Sequence, residues 1–243
     1  MAVIQIQVVS DVVCPWCYIG KRKLEKAISL YQKTYPGGKN DSFAITWSAY
    51  YLNPDLLPDK LEFLRNRVGA DKAALIVQRL VQTGRAEGIY FKFDAGSGRI
   101  GSTRDAHRMI YLSRSTAKSS DVQDRVVKKL FVAYHEQGRD ITSHSVLRDV
   151  AVEARLDGQE VDRWLSADLG GKEVDEEVRL ARESGVSGVP AFVVQGEHRL
   201  DGAQVCRSLW RFLRKSRRLL NLDVLDWMCV SRPDTLCWYA VYS

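Results

Sequence analysis

The sequence feature that most constrains the fold is a pair of cysteines between a strand pattern and a helix pattern. Residues 3–9 alternate, with Ile4, Ile6 and Val8 on one side, which is the period of a half-buried strand. After the segment CPWC (14–17), apolar residues recur at helical spacing until the stop signal YPGG. The chain therefore passes from a strand into a helix at the two cysteines.

The rest of the chain extends this pattern around a long helical stretch. Residues 43–48 alternate again, which predicts a second strand parallel to the first. From about 60 to 184 the apolar period is mostly helical. The segments GVPAFVV and HRL predict a short hairpin at about 191–201, followed by an amphipathic helix from about Gln204. We expect an α/β fold with the order β-α-β, a large all-helical insertion, then β-β-α.

The same pattern divides the chain into units. We expect residues 1–55 and 187–218 to form one domain and residues 56–186 to form a helical insertion domain. Residues 219–243 follow no clear period, and we expect them to form a loosely packed tail. No apolar run in the sequence is long enough to span a bilayer, so we expect no membrane partner.

Zinc binding and a structural disulfide both explain the cysteine pair poorly. A structural zinc site needs four Cys or His ligands, commonly in two pairs, and the sequence has no second CxxC segment. A disulfide between Cys14 and Cys17 would close almost no loop, so it would stabilise the fold little. The total of five cysteines is odd and does not suggest a disulfide framework. We therefore expect no metal site and favour redox chemistry.

The position of the cysteines favours that chemistry. Pro15 follows Cys14 at the first helical position, where its missing N–H costs nothing. Cys14 then lies beside the unpaired amides and the positive end of the helix dipole, which favours a thiolate. Cys17 follows one turn later, where its sulfur can attack a mixed disulfide formed on Cys14.

A second motif, SGVSGVPAF, precedes the predicted hairpin. Pro190 stands directly before an apolar strand and cannot occupy the centre of a sheet. It is either an ordinary trans proline in a loop or a cis proline facing the cysteines. In the second case the Val189 backbone could pair with an extended substrate. The order of the elements favours the cis-proline alternative.

Three segments carry a resemblance to a known family: SDVVCPWCYIGKRKLE (10–25), AHRMIYL (106–112) and the stretch 187–204. Over about residues 3–215 the chain resembles the DsbA-like branch of the thioredoxin superfamily, specifically its FrnE-like group. The resemblance implies a thioredoxin-like domain with a helical insertion. It also implies thiol–disulfide exchange, with Cys14 as nucleophile, Cys17 as resolving cysteine and Pro190 as cis-proline. The chain departs from the family pattern at Ser102, where asparagine is expected.

Further site residues and two other functions follow from these motifs. We count Pro15, Trp16 and Val189 as candidate substrate-binding residues beside Cys14 and Cys17. Kappa-class glutathione transferases and 2-hydroxychromene-2-carboxylate isomerases resemble the same fold, but they carry serine as the working residue. Cys14 at that point favours redox exchange over a glutathione-dependent transferase or isomerase acting on a small aromatic molecule. A third alternative is a redox-sensing or chaperone-like binding module with an apolar groove.

Outside the two motifs, several residues have a functional and a structural explanation. His107 and Arg108 are candidate substrate-binding residues, or else a pair satisfied within the protein. Cys206 is expected to be a small buried apolar residue. The segment GSGRIG (96–101) matches a dinucleotide-binding fingerprint, but a helical pattern opens at Asp121 where a second strand is needed. We expect that segment to be a loop near the mouth of the site.

Charge and cysteine usage indicate the class of partner. The net charge is +6, and much of it lies in RFLRKSRRLL (211–220), which we expect to be the solvated face of a helix. A positive field attracts acidic partners such as glutathione, which is our candidate co-substrate; no bound cofactor is expected. Nucleic acid is not expected, because no aromatic platform accompanies the basic run. The N-terminal segment does not resemble a secretion signal, so we expect a cytoplasmic protein, with its oligomeric state open.

Overall fold

The computed structural model describes residues 2–52, 59–94, 99, 101–116, 120–203 and 206–220. The strands are β1 (Val3–Ser10), β2 (Ser42–Ala49), β3 (Ala191–Val194) and β4 (His198–Asp201). The helices are α1 (Pro15–Thr34), α2 (Lys60–Val68), α3 (Ala70–Ala86), α4 (Arg104–Thr116), α5 (Ser120–Phe131), α6 (His144–Glu153), α7 (Gly158–Ser166), α8 (Gly171–Glu183) and α9 (Cys206–Leu220). A 3₁₀ turn (Gly38–Asn40) follows α1, and a π-helical turn (Val132–Glu136) continues α5. The predictions for the tail beyond 220 and for most of GSGRIG lie outside the described residues.

The four described strands form one mixed sheet in the order β2-β1-β3-β4. β1 runs parallel to β2, with Val8 opposite Trp47. β1 runs antiparallel to β3, with Val8 also opposite Phe192, and β3 pairs antiparallel with β4. The sheet and its helices confirm the predicted α/β, thioredoxin-like fold with a helical insertion.

The apolar core runs from the sheet into the helical segments. In β1, the alternation predicted from the sequence places Ile4 and Ile6 inside and Gln5 outside. α5 and α8 pack against β2, and α1 packs against α9. One cluster of buried residues joins Ile4 and Ile6 to Leu147 of α6. The boundaries of the helical insertion domain, 56–186, stay a prediction. The buried cluster is continuous across them and shows no separate core for the insertion.

Residues 89–93, ahead of GSGRIG, form no strand; the N–H of Lys92 donates to the His135 carbonyl oxygen at 2.8 Å, in the π-helical turn. One local expectation is wrong. Cys206 is half-buried rather than buried, because it begins α9 at the edge of the core. Within the described ranges, no helix combines the length and the apolar character that a membrane span requires.

Candidate active site

Cys14 is the N-cap residue of α1. Its backbone is extended, with φ −80° and ψ 112°, and Pro15 occupies the first helical position. Its carbonyl oxygen accepts the N–H of Cys17 at 3.1 Å and that of Tyr18 at 3.4 Å. The first turn therefore begins at Cys14, whose side chain makes no capping hydrogen bond to the amides of this turn. Cys14 is buried, with 2% of its surface exposed.

Cys17 lies one turn into α1 and is more deeply shielded. Burial is the largest cause that raises the pKa of its thiol well above the ordinary value, and the hydrogen bond and charge of Cys14 add to it. The Asp11 backbone and the Ser10 side chain contact the same sulfur and act in the opposite direction. Both cysteines are free thiols. Cys17 therefore holds its proton and donates it toward the sulfur of Cys14.

The loop before β3 closes over Cys14. The Val189–Pro190 peptide bond is cis, and the Cys14 thiol donates to the Val189 carbonyl oxygen across 3.6 Å. A Cβ atom on Gly20 would lie 2.9 Å from Cγ of Pro190, so only glycine lets α1 approach this proline so closely. Gly20 was not predicted from the sequence as a site residue, although it lies less than a turn beyond Cys17.

Pro15, Trp16 and Val189 surround Cys14 as the motifs indicated. Pro15 and Trp16 are half-buried in the first turn of α1, and Trp16 packs against the core. Val189 is also half-buried, whereas Pro190 is buried. These residues form a partly open rim beside the nucleophile, and their role in substrate binding stays a prediction.

Asp11 is a buried acid at the start of the turn that leads to Cys14, and it was not predicted from the sequence as a site residue. It is 0% exposed, and its carboxylate accepts the N–H of Leu52 at 2.8 Å. Its backbone carbonyl accepts the N–H of Cys14 at 3.1 Å, which closes the turn Asp11–Cys14. Asp11 therefore ties the cysteine loop to the chain that follows β2. Its position just before the CPWC segment is the sequence feature from which a role at the site could have been predicted.

His107 brings α4 to the same acid. Its Nε2 atom lies 3.5 Å from Oδ1 of Asp11, which is close enough for an ion pair. That atom is nevertheless buried without a hydrogen-bond partner, as is Oγ1 of Thr103 one turn earlier. The Tyr51 ring lies 5.9 Å from the imidazole. His107 is thus close to the cysteine loop and has hydrogen-bonding capacity that the described protein groups leave unused.

Arg108, the next residue, points to a different part of the molecule. Its guanidinium donates to the carbonyl oxygens of Leu169 at 2.9 Å and Trp164 at 2.5 Å, and to the Asp105 carboxylate at 2.7 Å. The side chain is 1% exposed. These contacts stabilise the C-terminal end of α7. They explain Arg108 as a structural residue, and its predicted role in substrate binding has no support among them.

The π-helical turn packs on the other side of the cysteine loop. His135 Nε2 lies 3.0 Å from the Val12 carbonyl oxygen, and the imidazole is buried. The Lys60 ammonium lies 5.1 Å from the centre of the Tyr134 ring, and burial lowers the pKa of Lys60 to about 8. Among the described residues, the buried Tyr134 hydroxyl has no hydrogen-bond partner. Burial first, and then the charge of Asp11, raises the Tyr134 pKa.

The arrangement suits sulfur chemistry rather than metal binding. Among the described residues, no three His, Cys, Asp or Glu side chains are grouped so that they could hold a metal ion. Two free thiols instead lie one turn apart, one at a helix N-terminus and one protected by burial. Such a pair can form one new bond to an external sulfur and then close on itself.

Comparisons with known proteins agree with this arrangement. The chain matches the family model of the DSBA-like thioredoxin domain over residues 5–213. A probable DsbA oxidoreductase from Streptomyces coelicolor has a similar structure, with 26% identity, a TM-score of 0.76, and coverage of 88% of this chain and 90% of that chain. Comparison with curated protein sequences gives no match.

Two further solved structures share the fold at lower identity. A 2-hydroxychromene-2-carboxylate isomerase has 18% identity and a TM-score of 0.63, covering 90% of this chain and 98% of that chain. The cytosolic disulfide reductase DsbM from Pseudomonas aeruginosa has 17% identity and a TM-score of 0.54, covering 88% of this chain and 99% of that chain. The family model spans most of the sequence and includes Cys14, Cys17 and Pro190. The chain therefore belongs to the DSBA-like thioredoxin domain family.

Proposed function

We propose that this protein is a thiol–disulfide oxidoreductase that uses the Cys14–Cys17 dithiol. The observation that carries the proposal is the pair of free, buried thiols one turn apart at the start of α1, with Cys14 at its N-cap. Cys14 stands at the helix N-terminus and against the Val189 carbonyl, whereas Cys17 is held protonated by burial. The two sulfurs therefore have different environments, as a nucleophile and a resolving group require.

In the first step, the Cys14 thiolate attacks one sulfur of a substrate disulfide. A bond forms between Cys14 and that sulfur, the substrate S–S bond breaks, and the other substrate sulfur leaves as a thiolate. The Val189 backbone lies beside the reacting sulfur and can pair with the substrate chain, as the sequence motif indicated. The half-buried Trp16 and Pro15 border the same side.

In the second step, Cys17 loses its proton to the departing thiolate or to water and attacks Cys14. The mixed disulfide breaks, the second substrate thiolate leaves, and a Cys14–Cys17 disulfide remains. The substrate has gained two electrons and the protein has lost them. A thiol donor must then reduce the protein again; run in reverse, the same cycle oxidises dithiols.

We propose glutathione as that donor on chemical grounds. It is a low-molecular-weight thiol with acidic groups, and the chain carries a net charge of +6. DsbM from P. aeruginosa has also been solved with glutathione, although the similarity at 16% identity extends to the fold only. The cytoplasmic location and the oligomeric state stay predictions.

A glutathione-dependent transferase or isomerase is the competing function. The shared fold of the isomerase is compatible with it. The second buried thiol favours disulfide exchange, because Cys17 has no task in a reaction that only orients a glutathione thiolate.

Single cysteine variants test the proposal directly. The measurement is reduction of a disulfide-linked model peptide in glutathione buffer, with mass spectrometry of the protein. We expect Cys14→Ser and Cys17→Ser to fall to the uncatalysed rate, and Cys17→Ser to accumulate a mixed disulfide on Cys14. Cys206→Ser is the matched control, because Cys206 is half-buried in α9, and it should leave the rate unchanged. Full turnover by Cys17→Ser would contradict the dithiol mechanism.

A further inference from the structure

The turn that delivers Cys14 to the start of α1 is held from two sides. The first contact lies within the turn, where the N–H of Cys14 donates to the Asp11 carbonyl oxygen at 3.1 Å. The second contact comes from the helical segment, where His135 Nε2 lies 3.0 Å from the Val12 carbonyl oxygen. Val12 is one of the two central residues of this turn. The orientation of the turn is therefore set by a residue far along the chain.

His135 is bound in a single protonation state. A carbonyl oxygen can only accept, so Nε2 carries the proton in this contact. Burial first, and then the charge of Lys60, lowers the His135 pKa to about 3, although the hydrogen bond to Val12 acts in the opposite direction. The imidazole is therefore neutral at physiological pH, and its Nε2–H remains available for Val12.

The ring has little freedom to move. Aromatic rings lie on several sides of it, with centroid distances of 4.8 Å to Tyr134, 5.4 Å to Phe91, 5.9 Å to Tyr18 and 6.0 Å to Phe131. The main chain of His135 is fixed as well, because its carbonyl accepts the N–H of Lys92 at 2.8 Å. Backbone and ring thus hold the Nε2–H donor in one direction.

The backbone that carries His135 is itself irregular. The N–H of Gln137 donates to the carbonyl of Val132 at 3.0 Å, five residues earlier, so the chain is wound as a π-helix there. Such turns are rare and are found frequently at functional sites. This one stands at the end of α5, where the helical segment meets the cysteine loop.

We propose that His135 is a positioning residue for Cys14. Through the Val12 carbonyl it fixes the turn Asp11–Cys14, so that Sγ of Cys14 stays at the N-terminus of α1 and beside the Val189 carbonyl. His135 contacts neither the reacting sulfur nor the substrate in this role. The inference rests on the proposed function, because it assigns the helical segment a part in activating the same nucleophile.

Loss of this contact should change the chemistry of Cys14 and not only the stability of the protein. A turn that can rotate takes Sγ of Cys14 out of its contact with the Val189 carbonyl oxygen and away from the end of α1. The sulfur then faces an incoming electrophile in a less fixed direction, and its reaction should slow. Alkylation reads the reactivity of this sulfur directly, because the same atom is the nucleophile.

The experiment is site-resolved alkylation of the reduced protein with iodoacetamide at constant pH, followed by tandem mass spectrometry. In His135→Leu we expect Cys14 to react about threefold to tenfold more slowly than in the wild type. His135→Gln should restore most of the rate, because its side-chain amide can donate to the Val12 carbonyl. Phe131→Leu is the matched control, since it removes packing beside the ring and keeps the hydrogen bond.

Several outcomes would overturn the proposal. One is a wild-type alkylation rate of Cys14 in folded His135→Leu, and another is an equal loss of rate in Phe131→Leu, which would assign the effect to packing alone. If His135→Leu does not fold, His135→Asn makes the same test, because its shorter amide does not reach Val12. Alkylation requires no disulfide substrate, so a wild-type protein without exchange activity would count against the proposed function and leave this result intact.

Discussion

Two buried histidines approach the cysteine loop from opposite elements and are bound in opposite ways. His135, in the π-helical turn, has its Nε2–H paired with the Val12 carbonyl at 3.0 Å. His107, in α4, has its Nε2 atom 3.5 Å from Asp11 but in no hydrogen bond. They approach adjacent residues of one turn, and both side chains are buried. Their environments therefore differ in hydrogen-bond partners and not in burial.

His135 therefore holds the cysteine loop through a hydrogen bond, whereas Nε2 of His107 has no such bond to the described residues. A buried polar atom with a partner contributes to the fold, whereas an unpaired one costs free energy unless something else pairs with it. The Tyr134 hydroxyl and Thr103 Oγ1 are unpaired in the same way as His107. Each of the following predictions changes either a buried group that has hydrogen-bond partners or one that has none among the described residues.

The largest expected effect is the pH dependence of folding caused by His135. Its pKa is about 3 in the folded protein and near the ordinary 6.5 when unfolded, so the unfolded chain binds the extra proton first as the pH falls. This contribution to the free energy of unfolding is complete above about pH 6.5 and is lost toward pH 3. It should amount to about 3–5 kcal/mol.

Urea unfolding of wild type and His135→Gln between pH 7 and pH 3.5 measures this effect. Carboxyl groups titrate in both proteins, so the difference between the two curves isolates the histidine. We expect the wild type to lose more stability than the variant as the pH falls. Parallel curves would contradict the lowered pKa of the His135 imidazole in the folded protein.

The second prediction concerns Arg108, which is next to His107 in the sequence but whose guanidinium makes several hydrogen bonds. Arg108→Met keeps the aliphatic packing and removes the guanidinium hydrogen bonds to the Leu169 and Trp164 carbonyl oxygens. We expect the free energy of unfolding to fall by about 2–4 kcal/mol. Arg148→Met is the control, because the exposed pair of Arg148 with Asp162 should contribute about 1 kcal/mol or less.

Disulfide exchange per folded molecule should be unchanged in Arg108→Met. If activity were lost while stability held, Arg108 would have the substrate-binding role that the sequence suggested. Its structural contacts would then be secondary.

Local signals explain why the fold and the two motifs could be predicted. The alternation of β1, Pro15 at the first position of α1 and the hairpin before α9 are each encoded within a few residues. The order of these elements places Cys14 and Pro190 at one end of the sheet. The cysteines and the proline loop therefore follow from sequence pattern and topology.

The surroundings of the cysteines could not be predicted in the same way. His135 and Val12 are 123 positions apart, and the imidazole reaches the loop only because a π-helical turn directs it there. The glycine at position 20 matters because Pro190 lies 170 residues further along the chain, and no local pattern shows that approach. His107 and Arg108 are adjacent in the sequence, and nothing in the sequence distinguishes their roles. Only their tertiary contacts show that His107 approaches Asp11 and that Arg108 binds the chain after α7.

The smallest effect on stability, and the sharpest test of the contrast, is expected from His107→Phe. The substitution keeps a ring beside Tyr51 and removes an Nε2 atom that has no hydrogen-bond partner. Since no hydrogen bond is lost, the free energy of unfolding should change by about 1 kcal/mol or less. If the free Nε2 serves the substrate, KM for a disulfide peptide should rise roughly threefold to tenfold with kcat nearly constant, the equivalent of one hydrogen bond. An unchanged KM together with a clear loss of stability would instead make the approach to Asp11 a structural ion pair, and the two histidines would then both belong to the framework of the loop.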